Sequence, residues 1–219
     1  NLAAGTSSYT INNSLRFRKS NDAYLSRTPS SASNRKTFTF SAWVKKADIG
    51  DNDWLIGGTK GTVDSSGIQF AQDNLRVIST SSNSTVDDVD LRTTAVFRDP
   101  SAWYHVVVAI DTTQATSTNR VKIYVNNSQI TSFSTSTYPS LNYEFAINNT
   151  TLQMIGKWTY TAGARSFDGY LADVYLIDGQ QLTPSSFGET SSTTSVWKPK
   201  AYTGTYGTNG FYLPFNSYG

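Results

Sequence analysis

The sequence predicts an all-β protein, an antiparallel sandwich of two sheets, from three observations. Apolar and polar residues alternate in short runs, the period-two signature of half-buried strands. Gly, Asn, Asp and Ser punctuate these runs about every dozen residues, the spacing of a sandwich. Helical periodicity is missing outside one short stretch. Composition agrees: Ser and Thr make up about a quarter of the 219 residues, aromatics 13%, and there are 15 glycines, a mixture suited to strands and turns. With 37% hydrophobic residues, a chain of this length buries one large core, so residues 1–219 are expected to form a single domain.

The strands are expected in the following order. Residues 14–17 open the chain with a short alternating run. In residues 38–45, Phe38, Phe40, Ala42 and Val44 share one face, assigned to the core, while Thr39, Ser41, Trp43 and Lys45 share the other. Residues 54–57, 67–70 and 75–79 are apolar runs between turn residues. Residues 86–91 read VDDVDL, which puts Asp88 and Asp90 on one strand face. The run 103–111 is apolar on both faces and is therefore central, covered by the opposing sheet on one side and by loops on the other. Residues 120–125 turn at Asn126-Asn127 into 129–133, a hairpin. Residues 151–155, 167–177 and 210–215 complete the set, with Pro214 suited to an edge strand or a strand end. Thr183 and Pro184 open the one helix signal, a turn or two near residues 183–188.

Several function classes lose their support here. There is no cysteine, hence neither a disulfide framework nor a thiolate metal site. The net charge of +2 comes from scattered basic residues, which argues against a nucleic-acid footprint. No apolar run approaches the roughly 20 residues of a membrane helix, so membrane insertion is not expected. No nucleophile elbow, phosphate loop or His-rich metal motif occurs. His105, the sequence's one histidine, reads as a packed, hydrogen-bonded core residue rather than a base or ligand.

Three strings, FTFSAWVKK (38–46), WYHVVVAIDTTQATSTNRVKIYVNNSQI (103–130) and FDGYLADVYLIDGQQLTP (167–184), resemble signature strands of laminin-G-like modules, in the same order along the chain. The resemblance covers roughly residues 10–190 and implies a jelly-roll-like, concanavalin A-like sandwich. Three longer strings, at 15–46, 167–190 and 196–215, are similar to a laminin-G-like module recurrent in virion proteins of tailed bacteriophages of marine bacteria. That resemblance implies a tail-fibre, appendage or capsid-associated protein located in the virion, with other virion subunits as partners and homo-oligomers among the assemblies to consider. The chain starts at Asn1 without Met and stops at Gly219 where related polypeptides continue, so it is expected to be part of a longer polypeptide.

The wider lectin and glucanase group includes glycosidases, which resemble one another in a Glu-x-Asp-x-x-Glu strand. This sequence holds only two glutamates, Glu144 and Glu189, in no such motif. Asp88 and Asp90 are the best substitute for a carboxylate pair, and they read more simply as charge on a solvent face. No enzyme is therefore expected, with glycoside hydrolase as the third reading. Laminin-G-like and pentraxin-like relatives hold calcium through rim oxygens; the densest oxygen cluster here contains Asp48, Asp51 and Asp53, making calcium a candidate ligand while no cofactor is required. Sugar binding in such folds uses aromatic platforms flanked by polar groups, and the loop-placed candidates are Trp54, Trp158 and Tyr160, with Arg165 as a donor. The leading expectation is a lectin-like module adhering to host-surface glycan, and its rival is an architectural module that contacts neighbouring subunits without sugar.

Overall fold

The computed structural model describes residues 9–59, 65–81, 86–158 and 165–216, and the structural statements below concern these. The strands are β1 (Leu15–Phe17), β2 (Leu25–Arg27), β3 (Thr37–Lys46), β4 (Asn52–Thr59), β5 (Ser65–Ala71), β6 (Asn74–Ser81), β7 (Val86–Val96) and β8 (Tyr104–Asp111). Then come β9 (Val121–Val125), β10 (Ser128–Ile130), β11 (Phe133–Thr137), β12 (Gln153–Ile155), β13 (Gly169–Asp178), β14 (Gly188–Thr190), β15 (Trp197–Pro199) and β16 (Phe211–Leu213). One seven-stranded sheet runs β1-β13-β3-β8-β9-β10, with β16 also on β13; the other runs β11-β7-β6-β5-β4-β12-β2. Every pairing is antiparallel. The predicted sandwich is what forms.

Alternation explains the core. Phe38, Phe40, Ala42 and Val44 of β3 and Val106, Val108 and Ile110 of β8 face the opposing sheet's Ile68, Phe70, Leu75, Val77, Val89 and Leu91. The Asn126-Asn127 turn joins β9 to β10 with both residues at positive φ (48° and 70°), the geometry of a tight two-residue hairpin. The expected strand at 129–133 is instead split: β10 pairs in the first sheet and β11 in the second, so the chain changes sheets between them. The helix signal forms a single 3₁₀ turn, Pro184–Ser186, and two further turns occur at Lys19–Asn21 and Ser117–Asn119. A single turn has no amphipathic period, which is why those two leave no trace in the sequence.

The outer face of the first sheet is covered by the chain's own C-terminal part. Val107, Ala109, Tyr124, Tyr175 and Ile177 form a second core with Phe187, against which Leu182, Tyr202, Tyr206 and Tyr212 pack. Thr39 ties this layer down, accepting from Leu182 N (2.9 Å) and donating to the Gln180 carbonyl (2.7 Å). β8 is thus apolar on both faces for the expected reason. His105 lies in this layer, 1% exposed, stacked on Trp43 (4.9 Å between ring centroids) and within 2.9 Å of Ser41 Oγ. Its Nδ1 accepts the indole N–H of Trp197 at 3.0 Å.

Candidate functional site

With one outer face covered, the side chains that stand out are on the outer face of the β4–β7 sheet. Ile68 and Phe70 of β5 point into the core, so Gln69 between them points outward. Cross-strand partners share a face, and the register runs Trp54 (β4) to Gln69 (β5) to Arg76 (β6) to Arg92 (β7), one continuous outer row. Trp54 can lie flat in this row because its neighbours are glycines. A Cβ at Gly57 would stand 3.2 Å from the indole, and one at Gly67 only 2.6 Å from it.

Trp158 lies on Trp54, with ring centroids 5.2 Å apart and planes at 18°. Its indole N–H donates to Ser65 Oγ of β5 at 3.1 Å. The Arg165 guanidinium stands over Trp158, 3.9 Å from the ring centroid. A guanidinium cannot fit between two stacked indoles, so it occupies the other face and completes a layered stack, Trp54–Trp158–Arg165. The backbone makes this possible. Lys157 and Ser166 form an antiparallel bridge and Trp158 N donates to the Arg165 carbonyl at 3.3 Å, so Trp158 and Arg165 face each other across a stem. Asp22 clamps the stem from outside, accepting from Ser166 Oγ at 2.7 Å and pairing with the Lys157 ammonium.

Three of the expected sugar-site residues therefore come together, but not as presented platforms. Trp54 is a strand residue, 2% exposed and covered by Trp158, rather than a loop aromatic. Trp158 is half-buried with both faces occupied, and Arg165 is the exposed outermost layer. Tyr160 lies outside the described residues. Arg76, within the same row, was legible only as a charge on a strand; its guanidinium binds Asp90 (2.6 and 2.8 Å) and Asp87 (3.1 Å).

Asp88 and Asp90, the best substitute for a carboxylate pair and expected on one face of β7, go to different partners. A register shift between Ser79 and Thr80 marks a bulge in the β6–β7 pairing, placing Asp87 and Asp90 together on Arg76. Asp88 instead accepts from Ser81 Oγ (2.8 Å) and Tyr143 OH (2.9 Å). Glu144 pairs with Arg35 and Glu189 with Lys198, each at 2.8 Å.

The Asp48, Asp51 and Asp53 cluster has two ammonium groups within it. Lys19 Nζ is 2.5 Å from Asp51 and 3.7 Å from Asp48; Lys46 Nζ is 3.5 Å from Asp53 and 2.6 Å from Asp73. Asp73, missed in the sequence, sits at positive φ in the β5–β6 turn and also accepts from Gly50 N and Arg98 Nε, each at 2.9 Å. Burial works against its charge, but these hydrogen bonds hold its carboxyl below the usual range. Asp53, wholly buried, has no hydrogen-bond donor; burial, reinforced by the charge of Asp48, pushes it up to about 8 against the pull of Lys46. Among the described residues no group of three or more acidic or histidine side chains is arranged to hold a metal.

A seven-on-seven antiparallel sandwich of this topology is the concanavalin A-like class. Residues 19–186 match the laminin-G branch of the Concanavalin A-like lectin/glucanases superfamily, and the chain belongs to that family. No curated protein matches the sequence. The fold is similar to the heptameric SAP-like pentraxin of Limulus polyphemus, at 14% identity, TM-score 0.51, covering 73% of this chain and 71% of that one. It is also similar to the mouse laminin α1 LG4-5 domains, at 14% identity, TM-score 0.52, covering 84% of this chain and 46% of that one. Domain 4 of AbnA, an extracellular arabinanase of Geobacillus stearothermophilus solved with arabinotriose, shares 21% identity at TM-score 0.50, covering 71% of this chain and 65% of that one.

Proposed function

We propose that this chain is a non-enzymatic, lectin-like module that binds glycan at the outer face of the β4–β7 sheet. The Trp54–Trp158–Arg165 stack carries this reading. It offers an apolar indole rim for the C–H side of a sugar ring beside a fixed fan of guanidinium donors for hydroxyls. The stack is anchored from below by the sheet and held at its stem, so little side-chain freedom is lost on binding. That a domain of the same fold was solved with arabinotriose supports the reading.

The carboxylates support a module without hydrolysis. Asp88 and Asp90 are committed to different partners, and neither faces the other across a cleft as paired glycosidase carboxyls do. In our reading calcium is not needed either. The acidic cluster that would bind it already contains the ammonium groups of Lys19 and Lys46, which supply the positive charge and would repel a divalent cation.

The virion-like strings support adhesion of a phage particle to host-surface glycan as the setting. The rival, an architectural module joining virion subunits, is favoured by one observation: a cavity of about 230 Å³ between the sheet edges, lined by apolar Leu25, Ile56, Met154, Ile155, Phe211 and Leu213. A glycan array probed with the purified chain, with and without calcium, separates the two. Saturable hits that persist in chelator support the module proposed; an empty array together with concentration-dependent self-association supports the rival.

A further inference from the structure

The outer row of the β4–β7 sheet has a charge pattern that narrows the ligand, on the premise that this face binds glycan. Trp54, Gln69, Arg76 and Arg92 follow one another across four adjacent strands, about 14 Å from end to end at three strand spacings. Of the arginines on this face, Arg76 is outweighed by its two carboxylate partners, Asp87 and Asp90, so that cluster carries a net negative charge. Arg92 is held only by neutral acceptors: Asn74 Oδ1 (3.0 Å), the Ala71 carbonyl (2.9 Å) and Gln72 Oε1 (3.3 Å). Arg165 meets the face of Trp158. Among the described residues neither Arg92 nor Arg165 pairs with a carboxylate.

We propose that the ligand is an acidic saccharide, one bearing carboxylate or sulfate groups, bound with Arg165 over the Trp158 stack and Arg92 at the far end of the row as its anion-binding groups. A guanidinium stacked on an indole keeps its N–H edge in the ring plane, free to take a carboxylate or sulfate through two parallel hydrogen bonds. The neutral acceptors of Arg92 orient its guanidinium without cancelling its charge. Partial burial makes the positive charge on Arg165 costly, a cost that an anion relieves. The excess negative charge of Asp87 and Asp90 around Arg76 disfavours a densely charged polyanion and favours a chain with intermittent charges.

The test is a titration of the whole chain with oligogalacturonate, oligoalginate and sulfated chondroitin oligosaccharides, with neutral dextran and laminarin oligosaccharides, and with a single-stranded oligodeoxynucleotide. The acidic saccharides should bind at least about tenfold tighter than neutral ones of equal length, with affinity falling as salt rises. Arg92→Gln should remove about tenfold of the acidic binding and leave any neutral binding unchanged; Arg165→Gln should weaken both, the acidic binding by about tenfold more than the neutral, while Arg165→Lys retains part of the acidic binding. Unchanged near-ultraviolet circular dichroism certifies that the variants fold. Equal affinity for acidic and neutral saccharides overturns the inference and leaves glycan binding standing; binding of none overturns both. An oligodeoxynucleotide bound as tightly as the acidic saccharides also overturns it, since the face would then be a general polyanion surface.

Discussion

Trp197 donates its indole N–H to Nδ1 of His105 at 3.0 Å, and that one bond fixes the state of the histidine. An indole only donates, so Nδ1 carries no proton and the proton is on Nε2, which therefore donates to Ser41 Oγ, 2.9 Å away. A serine that receives this hydrogen bond is not being deprotonated. The Ser41–His105 pair is thus a packing device, although it has the residue types of a nucleophile and its base.

Acid should undo this packing. Burial pushes His105 down to about 3, against 6.5 for an ordinary histidine, so between those values the unfolded chain takes up a proton that the folded chain refuses. Stability is therefore lost as pH falls below 6.5 and the loss is complete near 3, on the order of 4–5 kcal/mol in all. Urea midpoints measured from pH 7 to pH 4 should fall more steeply for the native chain than for His105→Phe, which does not titrate. Parallel curves would contradict the assignment.

Asp53 should act in the opposite sense. Its folded value of about 8 lies above the ordinary 3.8, so the folded chain keeps a proton that the unfolded chain releases; the contribution is full below about 4 and is lost as pH rises through 8. Between pH 4 and 6.5 the two groups offset one another, so each is read from the difference between the native chain and its own variant. Melting temperature should drop between pH 6 and pH 9 in the native chain and hardly change in Asp53→Asn, as scanning calorimetry would reveal.

How much of this was legible in the sequence depended on what set each feature. Period two was enough for β3, because the pattern of Phe38 to Val44 is imposed by one core, and β8 was legible as a run apolar on both faces, because it packs against two. The Asn126-Asn127 turn was legible because its chemistry is local. Asp88 and Asp90 misled because one bulge reverses the alternation, and a bulge leaves no compositional mark. The second core over β8 was hidden because Phe187, Trp197 and Tyr202 belong to a segment without strand periodicity, whose role is decided only by the face it meets. Trp158 and Arg165 were legible as residue types, but their stacking depends on a stem bridge between Lys157 and Ser166.

Gly67→Ala tests the support beneath the stack. The added Cβ would clash with the Ile56 carbonyl and meet the Trp54 indole at 2.6 Å, so the β4–β5 backbone must give and the indole must tilt, shifting Trp158 with it. Overpacking of this kind costs about 1–3 kcal/mol. Circular dichroism should also lose the exciton signal of two indoles held 5.2 Å apart. An intact signal would mean that the indoles do not depend on the bare backbone at Gly67.

Asp88→Asn should behave as a stability variant rather than a catalytic one. Two hydroxyls, from Ser81 and Tyr143, lose a charged acceptor, at a cost of about 1–2 kcal/mol. Neither the native chain nor this variant should release reducing ends from glucans or alginates. Turnover by the native chain that disappears in Asp88→Asn would restore the hydrolase reading.

Glycan bound at the Trp54–Trp158–Arg165 stack should register in the indole N–H resonances of the chain's five tryptophans during a saccharide titration. Trp158 should shift saturably, Trp54 beneath it should follow more weakly, and Trp43 and Trp197, in the layer around His105 on the other sheet, should stay in place. Shifts confined to Trp43 or Trp197, with Trp158 unmoved at saturation, would put the glycan on the other sheet and rule out the stack as its site.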